Sequence, residues 1–168
     1  MAGRVYGLDL GTYEIKAFDK KNDRIWREKN AIAMKNKKYI LAVGNEAYDI
    51  FEKAPTDIKV VFPMKRGVIA HFDDMQYLLG NLLGTERRSV FGAEYVVAVP
   101  TDVTEVEKKA VEDATFQAGA RDVKIIEEPI AAAIGAGIDI SKPCGNMIVD
   151  IGGGTADIAV ISLGCTVV

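Results

Sequence analysis

The chain carries one short signature twice, and this repeat constrains its fold more than any other feature. Val5–Thr12 reads VYGLDLGT, and Met147–Thr155 reads MIVDIGGGT. Each copy runs from an apolar strand through an Asp to a glycine turn and a Thr, and a second apolar run follows. Glycine has no Cβ, so the N–H groups of such a turn can approach an anion closely. Two copies predict two elbows that face each other and hold one polyphosphate from both sides.

The aspartate and the glycines of each elbow supply different parts of this predicted site. A carboxylate at a strand end can bind a hard divalent cation, so Asp9 and Asp150 are the candidate Mg²⁺ ligands. An ordinary hairpin turn is the alternative for the first copy. The second copy is harder to explain in that way, because consecutive glycines weaken a sheet. The candidate phosphate contacts are Gly11, Thr12, Tyr13, Lys16, Gly152, Gly153, Gly154 and Thr155.

Two charged side chains follow the first elbow along the next strand. Lys16 could reach a β- or γ-phosphate as a point charge, and an exposed strand lysine is the alternative. Glu14 would repel phosphates unless it points away from them. Since residues two apart share a face of a strand, we expect Glu14 to be able to pair with Lys16 instead.

Glu128 is the candidate for orienting an attacking water. It stands beside Glu127 at a predicted strand-to-helix elbow, so one carboxylate can face the cleft while the other is solvated or caps the helix. Capping alone is the alternative for Glu128. Hydrolysis of a phosphoanhydride depends on positioning and charge neutralisation. Glu128 and Thr155 are therefore the candidate catalytic residues, acting with a Mg²⁺ near the two aspartates.

The pattern of elements predicts a mixed α/β unit with a small insertion. Strand-like runs at Arg4–Leu10, Tyr13–Phe18 and Arg24–Glu28, joined by short turns, predict an antiparallel meander. Residues 31–61 look like a separate small unit of short strands and a helical turn. A helix followed by a strand then occurs twice, a last helix follows, and the second signature opens another unit.

The helices of this second part have recognisable start signals. Asp73 or Asp74 is the predicted N-cap of the first helix, and Glu94–Val99 is a predicted buried strand. Thr104 and Glu107 have the spacing of a capping box for the next helix. We expect that helix to pack on the sheet through a stripe of small residues, Val106, Ala110, Ala114 and Ala118.

The composition limits the function classes. The 168 residues, 49% hydrophobic and 27% charged, indicate a globular protein, and the net charge of −3 gives no indication of a nucleic-acid partner. One His and two Cys argue against His-based triads, most zinc sites and a disulfide framework, so a reducing cytosol is the default. The sequence lacks the P-loop and dinucleotide-binding glycine motifs. Its apolar runs fall short of the ~20 residues that a membrane span needs.

A loop near the middle of the chain places an apolar pair beside two arginines. Val90 and Phe91 follow Arg87 and Arg88 closely, and such a loop could dip into an anionic membrane surface. The alternative is that these loop hydrophobes tuck into the core.

These motifs resemble those of the actin superfamily and, within it, the bacterial rod-shape proteins of the MreB/Mbl type. Asp9–Thr12 is similar to the first phosphate motif of the family, and Asp150–Thr155 to its second. Further specific stretches are Gly67–Ala70, Val103–Glu107, Gln117–Arg121 and Ile126–Gly135. The resemblance implies an actin-like, ribonuclease H-like α/β unit with a mixed five-stranded sheet. It also implies a small inserted subdomain and the start of a second, truncated lobe.

The function that the resemblance implies is that of a filament-forming, ATP-dependent cytoskeletal protein. Such a protein organises cell-wall growth with the elongation machinery, in the cytoplasm at the inner face of the cell membrane, which Val90 and Phe91 would contact. The resemblance implies ATP and Mg²⁺ as ligands, Glu128 as the catalytic glutamate and Thr155 as the catalytic threonine. A non-polymerising actin-fold ATPase and a catalytically silent interaction module stay open as alternatives.

Two features depart from the family pattern. The first loop usually reads Gly-Thr-Ala-Asn-Thr, and here Tyr13 and Glu14 stand at the third and fourth positions. Family members are also much longer. We therefore expect this chain to bind nucleotide weakly without turnover. We also expect its C-terminal strands either to pair with another molecule, as a swapped or edge-paired oligomer, or to be poorly ordered. The expected domains are 1–29 with 71–140, the insertion 30–70, and the incomplete second lobe 141–168.

Overall fold

The computed structural model describes residues 4–84 and 92–167. The strands in chain order are β1 (Arg4–Leu10), β2 (Glu14–Asp19), β3 (Arg24–Lys29), β4 (Ile32–Lys35), β5 (Tyr39–Val43), β6 (Ile58–Val61), β7 (Met64–Lys65), β8 (Val68–Ile69), β9 (Ala93–Val99), β10 (Ala120–Glu127), β11 (Asn146–Ile151), β12 (Ala156–Ser162) and β13 (Cys165–Thr166). The helices are α1 (Gly44–Asp49), α2 (Phe72–Gly84), α3 (Glu105–Gln117) and α4 (Glu128–Gly135).

A mixed five-stranded sheet organises the first part of the chain. Its strand order is β10-β9-β1-β2-β3. The strands β1, β2 and β3 form the predicted antiparallel meander, whereas β9 and β10 run parallel to β1. This order confirms the predicted mixed sheet. Because β1 lies at its centre, the first elbow leaves the sheet from its middle.

The main core lies between this sheet and the helices α2 and α3. Tyr6 of β1 stacks on Tyr95 of β9 with ring centroids 5.2 Å apart, and its edge meets Trp26 of β3. The residues that α2 buries are Met75, Leu78, Leu79 and Leu83. The residues that α3 buries are Val111, Ala114 and Thr115, and its C-cap Ala118 is buried as well. Their helical spacing explains why one face of each helix is covered.

The start of α3 confirms the predicted capping box. The Thr104 N–H donates to the Glu107 carboxylate at 2.8 Å, and the Glu107 N–H donates to the Thr104 hydroxyl at 3.3 Å. The predicted packing stripe was wrong at Val106, which is 79% exposed. Val106 lies about 140° around the helix from Val111, so the two cannot face the sheet together.

The predicted N-cap of α2 was also wrong. The helix begins at Phe72, so Asp73 and Asp74 lie in its first turn. There their carboxylates interact favourably with the exposed N–H groups of the helix terminus without capping it. An Asp near the start of an apolar helical repeat gives the same sequence signal whether it is the N-cap or a residue of the first turn, so the sequence does not separate the two positions.

We call residues 30–70 the inserted segment. It contains a separate three-stranded sheet, β5-β4-β6, with α1 packed beside it. Its small core centres on Ala31, Ala33 and Ala47, which are fully buried. The short hairpin of β7 and β8 then returns the chain to α2, and strands of two residues are too short for sequence periodicity to detect. The three domain boundaries expected from the sequence stay a prediction.

The second signature forms a third sheet, β11-β12-β13, that is covered on one face only. Ala159 and Ile161 of β12 are buried, and α4 contacts both β11 and β12. The opposite face carries the cross-strand pairs Met147–Val160, Val149–Ile158 and Ile151–Ala156. On it Met147 is 67%, Val149 54%, Ile151 79% and Ile158 66% exposed. We call these six residues the bare apolar face.

The predicted membrane-contact pair, Val90 and Phe91, lies outside the described residues. None of the helices in the described ranges combines the length and the apolar character that crossing a bilayer requires.

Candidate functional site

A cavity of about 470 Å³ lies between the two glycine elbows. It is bounded by the end of β1, the start of β2, the start of α4 and the turn between β11 and β12. All the site residues predicted from the sequence line it: Asp9, Gly11, Thr12, Tyr13, Lys16, Glu128, Asp150, Gly152, Gly153, Gly154 and Thr155. Gly67, Ala98, Ala131 and Ala132 also line the cavity and were not among the predicted site residues.

The two elbows approach each other so closely that two positions of the second have room only for glycine. A Cβ on Gly153 would lie 2.6 Å from the Cβ of Tyr13, and a Cβ on Gly154 would lie 2.5 Å from the Oγ1 of Thr12. Neither distance is compatible with a side chain there. Gly153 and Gly154 are therefore required by the side chains of the first elbow, Tyr13 and Thr12.

The first elbow is held by hydrogen bonds from outside the sheet. The Asn30 side-chain amide donates to the Gly11 carbonyl at 2.9 Å, and the Asn30 N–H donates to the Tyr13 carbonyl at 3.1 Å. The Gly67 N–H donates to the Thr12 hydroxyl at 2.9 Å. Asn30 is fully buried, and sequence reasoning missed it because a lone Asn after a strand is typical of any turn.

The charged side chains near the first elbow pair across strands. Lys16 Nζ lies 2.8 Å from a carboxylate oxygen of Asp9, its direct cross-strand neighbour, and this hydrogen bond raises the pKa of Lys16. The predicted pair of Glu14 with Lys16 was wrong. Glu14 instead pairs with Lys29 of β3 at 3.3 Å. Directly opposite residues on neighbouring strands are closer than residues two apart on one strand, so the cross-strand pairs form.

Lys29 also contacts the side chain of Tyr13. Its Nζ lies 3.9 Å from the centre of the Tyr13 ring, and the Tyr13 hydroxyl lies 3.1 Å from that of Tyr48 on α1. The Tyr48 hydroxyl, followed by the Lys29 ammonium, lowers the pKa of Tyr13. Lys29 thus compensates the charge of Glu14 beside the cavity. This reduces the repulsion between Glu14 and phosphates that was expected from the sequence.

Glu128 has the most perturbed environment among the cavity residues. Burial, followed by the nearby charges of Asp9, Asp157 and Asp150, raises its pKa from 4.5 to about 7. The neighbouring Glu127 points elsewhere, because its carboxylate accepts a 2.6 Å hydrogen bond from the Thr166 hydroxyl. Glu127 is the N-cap of α4 but makes no side-chain capping bond. The two carboxylates therefore diverge as expected from the sequence, but the expectation that the second is solvated or caps the helix was wrong, because Glu127 is bonded to Thr166.

The donor set of the cavity fits Mg²⁺. This ion is commonly held by one or two carboxylates, with phosphate oxygens and waters completing an octahedron. Asp9 and Asp150 both line the cavity, and both raise the pKa of Glu128, so their charges act on the same space. Within residues 4–84 and 92–167, no group of three or more Asp, Glu, His or Cys could hold a metal ion.

Solved structures with the same fold are actin-like proteins. The structure of MreB5 of Spiroplasma citri bound to ADP superposes with a TM-score of 0.91 at 38% identity, covering 99% of this chain and 51% of that one. The MamK double helical filament superposes with a TM-score of 0.79 at 19% identity, covering 95% of this chain and 50% of that one. The fold and the paired elbows thus define an actin-like protein.

The family model described as MreB/Mbl protein matches residues 4–168, and the chain belongs to this family. It is 40% identical over 167 residues to the cell shape-determining protein Mbl of Bacillus subtilis (strain 168), covering 98% of this chain and 50% of the relative. It is 38% identical over 164 residues to the cell shape-determining protein MreB of Escherichia coli (strain K12), covering 93% and 47%. The chain therefore spans about half the length of the curated relatives that it matches.

Glu128 predicts a pH-dependent stability that Glu128→Gln removes. The folded state binds the Glu128 proton more tightly than the unfolded state, because the pKa is about 7 in the fold and ordinarily 4.5. Ionisation therefore costs the wild type stability as the pH rises from 4.5 to about 7. Urea denaturation without nucleotide measures the free energy of unfolding of both proteins. The value for Glu128→Gln minus the value for the wild type should rise across this pH window. It should be constant on either side, and parallel profiles throughout would contradict this assignment.

Gly154→Ala tests the contact between the elbows. The new methyl group would meet Thr12 at 2.5 Å, and Thr12 can yield only by disturbing its bond from the Gly67 N–H. We expect a loss of about 1–3 kcal/mol in the free energy of unfolding. Gly152→Ala is the matched control, because its nearest neighbour would lie at 3.4 Å. Equal losses for the two variants in chemical denaturation would show that the elbows are not in contact.

Proposed function

We propose that the cavity binds the phosphates of ATP or ADP together with Mg²⁺, and that this chain is the nucleotide-holding part of a bacterial actin-like protein. The observation that carries the proposal is the apposition of two Asp–glycine elbows across one cavity that also contains Glu128. Its support from relatives is specific. Structures of MreB5 of Spiroplasma citri, 38% and 37% identical to this chain, are bound to ADP and to AMPPNP.

The residues of the cavity have distinct proposed roles. The N–H groups of the two elbows donate to phosphate oxygens, except that of Gly152, which donates to the Thr155 carbonyl at 2.9 Å. Lys16, which is paired with Asp9, adds a positive charge that attracts the phosphates. Asp9 and Asp150 hold Mg²⁺, which when bound neutralises phosphate charge. Glu128 and Thr155 orient the attacking water, since phosphoryl transfer depends on positioning more than on a covalent nucleophile.

The wider function that we propose is that of the named relatives. Curated relatives at about 40% identity are cell shape-determining proteins, so we propose a role in cell shape. At the length of those relatives, the protein would form ATP-dependent filaments and organise cell-wall synthesis with the elongation machinery. It would do so in the cytoplasm at the inner membrane face, with Val90 and Phe91 as the proposed membrane contact. The turnover of ATP is likewise proposed for a protein of that length.

A Mg²⁺ titration tests nucleotide binding by this chain. We expect weak calorimetric binding of AMPPNP that Mg²⁺ strengthens. Asp150→Asn should lower the affinity in Mg²⁺ about tenfold or more, since a charge-assisted contact is lost. Asp113→Asn is the control, because Asp113 has a half-exposed side chain on α3, does not line the cavity and is not among the charges that act on Glu128. Absence of binding, or equal losses for both variants, would refute the proposal, and tight binding would contradict the expected weakness.

The bare apolar face supports a second proposal, that copies of this chain associate through it. It consists of apolar side chains on adjacent strands, and β11 is an edge strand of its sheet. Both features favour pairing with another chain. The swapped or edge-paired oligomer expected from the sequence would use this surface.

Val149→Lys tests this association. The substitution places a charge at the centre of the bare apolar face, so we expect the dissociation constant of the oligomer to rise about tenfold or more by light scattering. Val106→Lys is the control, because Val106 is 79% exposed on α3, away from that face. A wild-type chain that stays monomeric at high concentration would contradict the proposal.

A further inference from the structure

The first elbow is hydrogen-bonded to the inserted segment at each of its residues. Gly11 and Tyr13 accept from Asn30, where the chain enters the segment, and Thr12 accepts from Gly67, where the chain leaves it. The candidate phosphate donors of this elbow therefore cannot move independently of the inserted segment.

The side chain of Tyr13 adds a contact deeper within that segment. Its hydroxyl lies 3.1 Å from the hydroxyl of Tyr48, and the two rings meet edge to face with centroids 5.6 Å apart. Lys29 lies over both rings, at 3.9 Å from the centre of Tyr13 and 5.5 Å from that of Tyr48. Aromatic edge-to-face and cation–π contacts are both favourable, so the arrangement restrains the Tyr13 ring.

Tyr48 is itself anchored in the inserted segment. It packs against the cluster of Ala31, Ala33 and Ala47, and its ring lies 5.8 Å from that of Phe51. Phe51 in turn contacts Phe62 edge to face at 5.1 Å. Because these rings pack against one another in series, the Tyr48 side chain is held in place by the inserted segment.

The other end of Tyr13 contacts the second elbow. Its Cβ occupies the space that a side chain on Gly153 would need. Tyr13 thus lies between Gly153 on one side and Tyr48 on the other. Tyr48 does not line the cavity, so any effect that it has on a bound nucleotide must act through Tyr13.

We propose that Tyr48 is a positioning residue of the phosphate site, which holds the first elbow in place through Tyr13 and thereby slows the dissociation of a nucleoside triphosphate. This inference rests on the proposed nucleotide-binding function and adds a residue of the inserted segment to it.

The physical basis is preorganisation of the phosphate donors. N–H groups that are held in place need no further ordering when phosphate binds, and an elbow that fluctuates releases its ligand sooner. The net contribution of one neutral hydrogen bond corresponds to a factor of about two to ten in a rate or equilibrium constant. Because the Tyr13–Tyr48 bond is one interaction, removing either hydroxyl should have the same effect, and removing both should add nothing.

The test compares Tyr48→Phe, Tyr13→Phe and the double variant in the whole chain. Stopped-flow displacement of a fluorescent, ribose-labelled ATP in Mg²⁺ measures the dissociation rate constant. Hydrogen exchange without nucleotide measures the protection of the amides of residues 11–14. We expect each single variant to dissociate about two- to tenfold faster and to exchange faster at the elbow, and the double variant to equal the singles. Tyr39→Phe, an exposed tyrosine of the same segment, is the control and should change neither quantity.

The two readouts separate this inference from the function on which it rests. Labelled ATP that binds to the wild type and leaves Tyr48→Phe at the wild-type rate would overturn the inference and leave the proposed function intact. Unchanged exchange at residues 11–14 in Tyr48→Phe would also overturn it. If the wild type binds no labelled ATP, the proposed function fails, and the inference fails with it even where exchange increases. A double variant with the product of the single effects would show that the hydroxyls act separately.

Discussion

The close approach of two glycine elbows is the constraint on which the rest of this structure depends. Gly153 and Gly154 lie against Tyr13 and Thr12 with no room for a Cβ, so the third sheet must sit where its turn meets the end of β1. That position places Asp150 across from Asp9 and brings the start of α4 to the same cavity. The two glycines thus permit the close approach at which two sheets and one helix meet.

The electrostatics of the cavity follow from this geometry. Asp9, Asp150 and Asp157 act together on Glu128, whose burial already disfavours its charge, while Lys16 offsets part of the negative potential through its bond to Asp9. Such an excess of carboxylate suits a divalent cation, and the elbow N–H groups suit an anion. A magnesium–polyphosphate complex carries both charges, which is why the proposed ligand matches the cavity as a whole.

The sequence predicted the antiparallel meander of β1, β2 and β3 and the gathering of the site residues because both depend on local signals. A strand, an Asp and a glycine turn are encoded within a few residues, and their repetition implied a shared site. It failed where the outcome depends on tertiary neighbours. Glu14 pairs with Lys29 rather than Lys16 because of strand register, and Val106 faces solvent because of the helix rotation on the sheet. Asn30 and Tyr48 carry no motif, so only the folded chain places them beside the first elbow.

The central claim is that both elbows contact one polyphosphate at the same time. An NMR titration of the ¹⁵N-labelled chain with AMPPNP and Mg²⁺ tests it most directly, because each elbow has its own backbone amides. The account predicts that the amides of Gly11, Gly152, Gly153 and Gly154 shift together along one binding curve. Shifts confined to one elbow, or shifts elsewhere with both elbows unchanged, would contradict it.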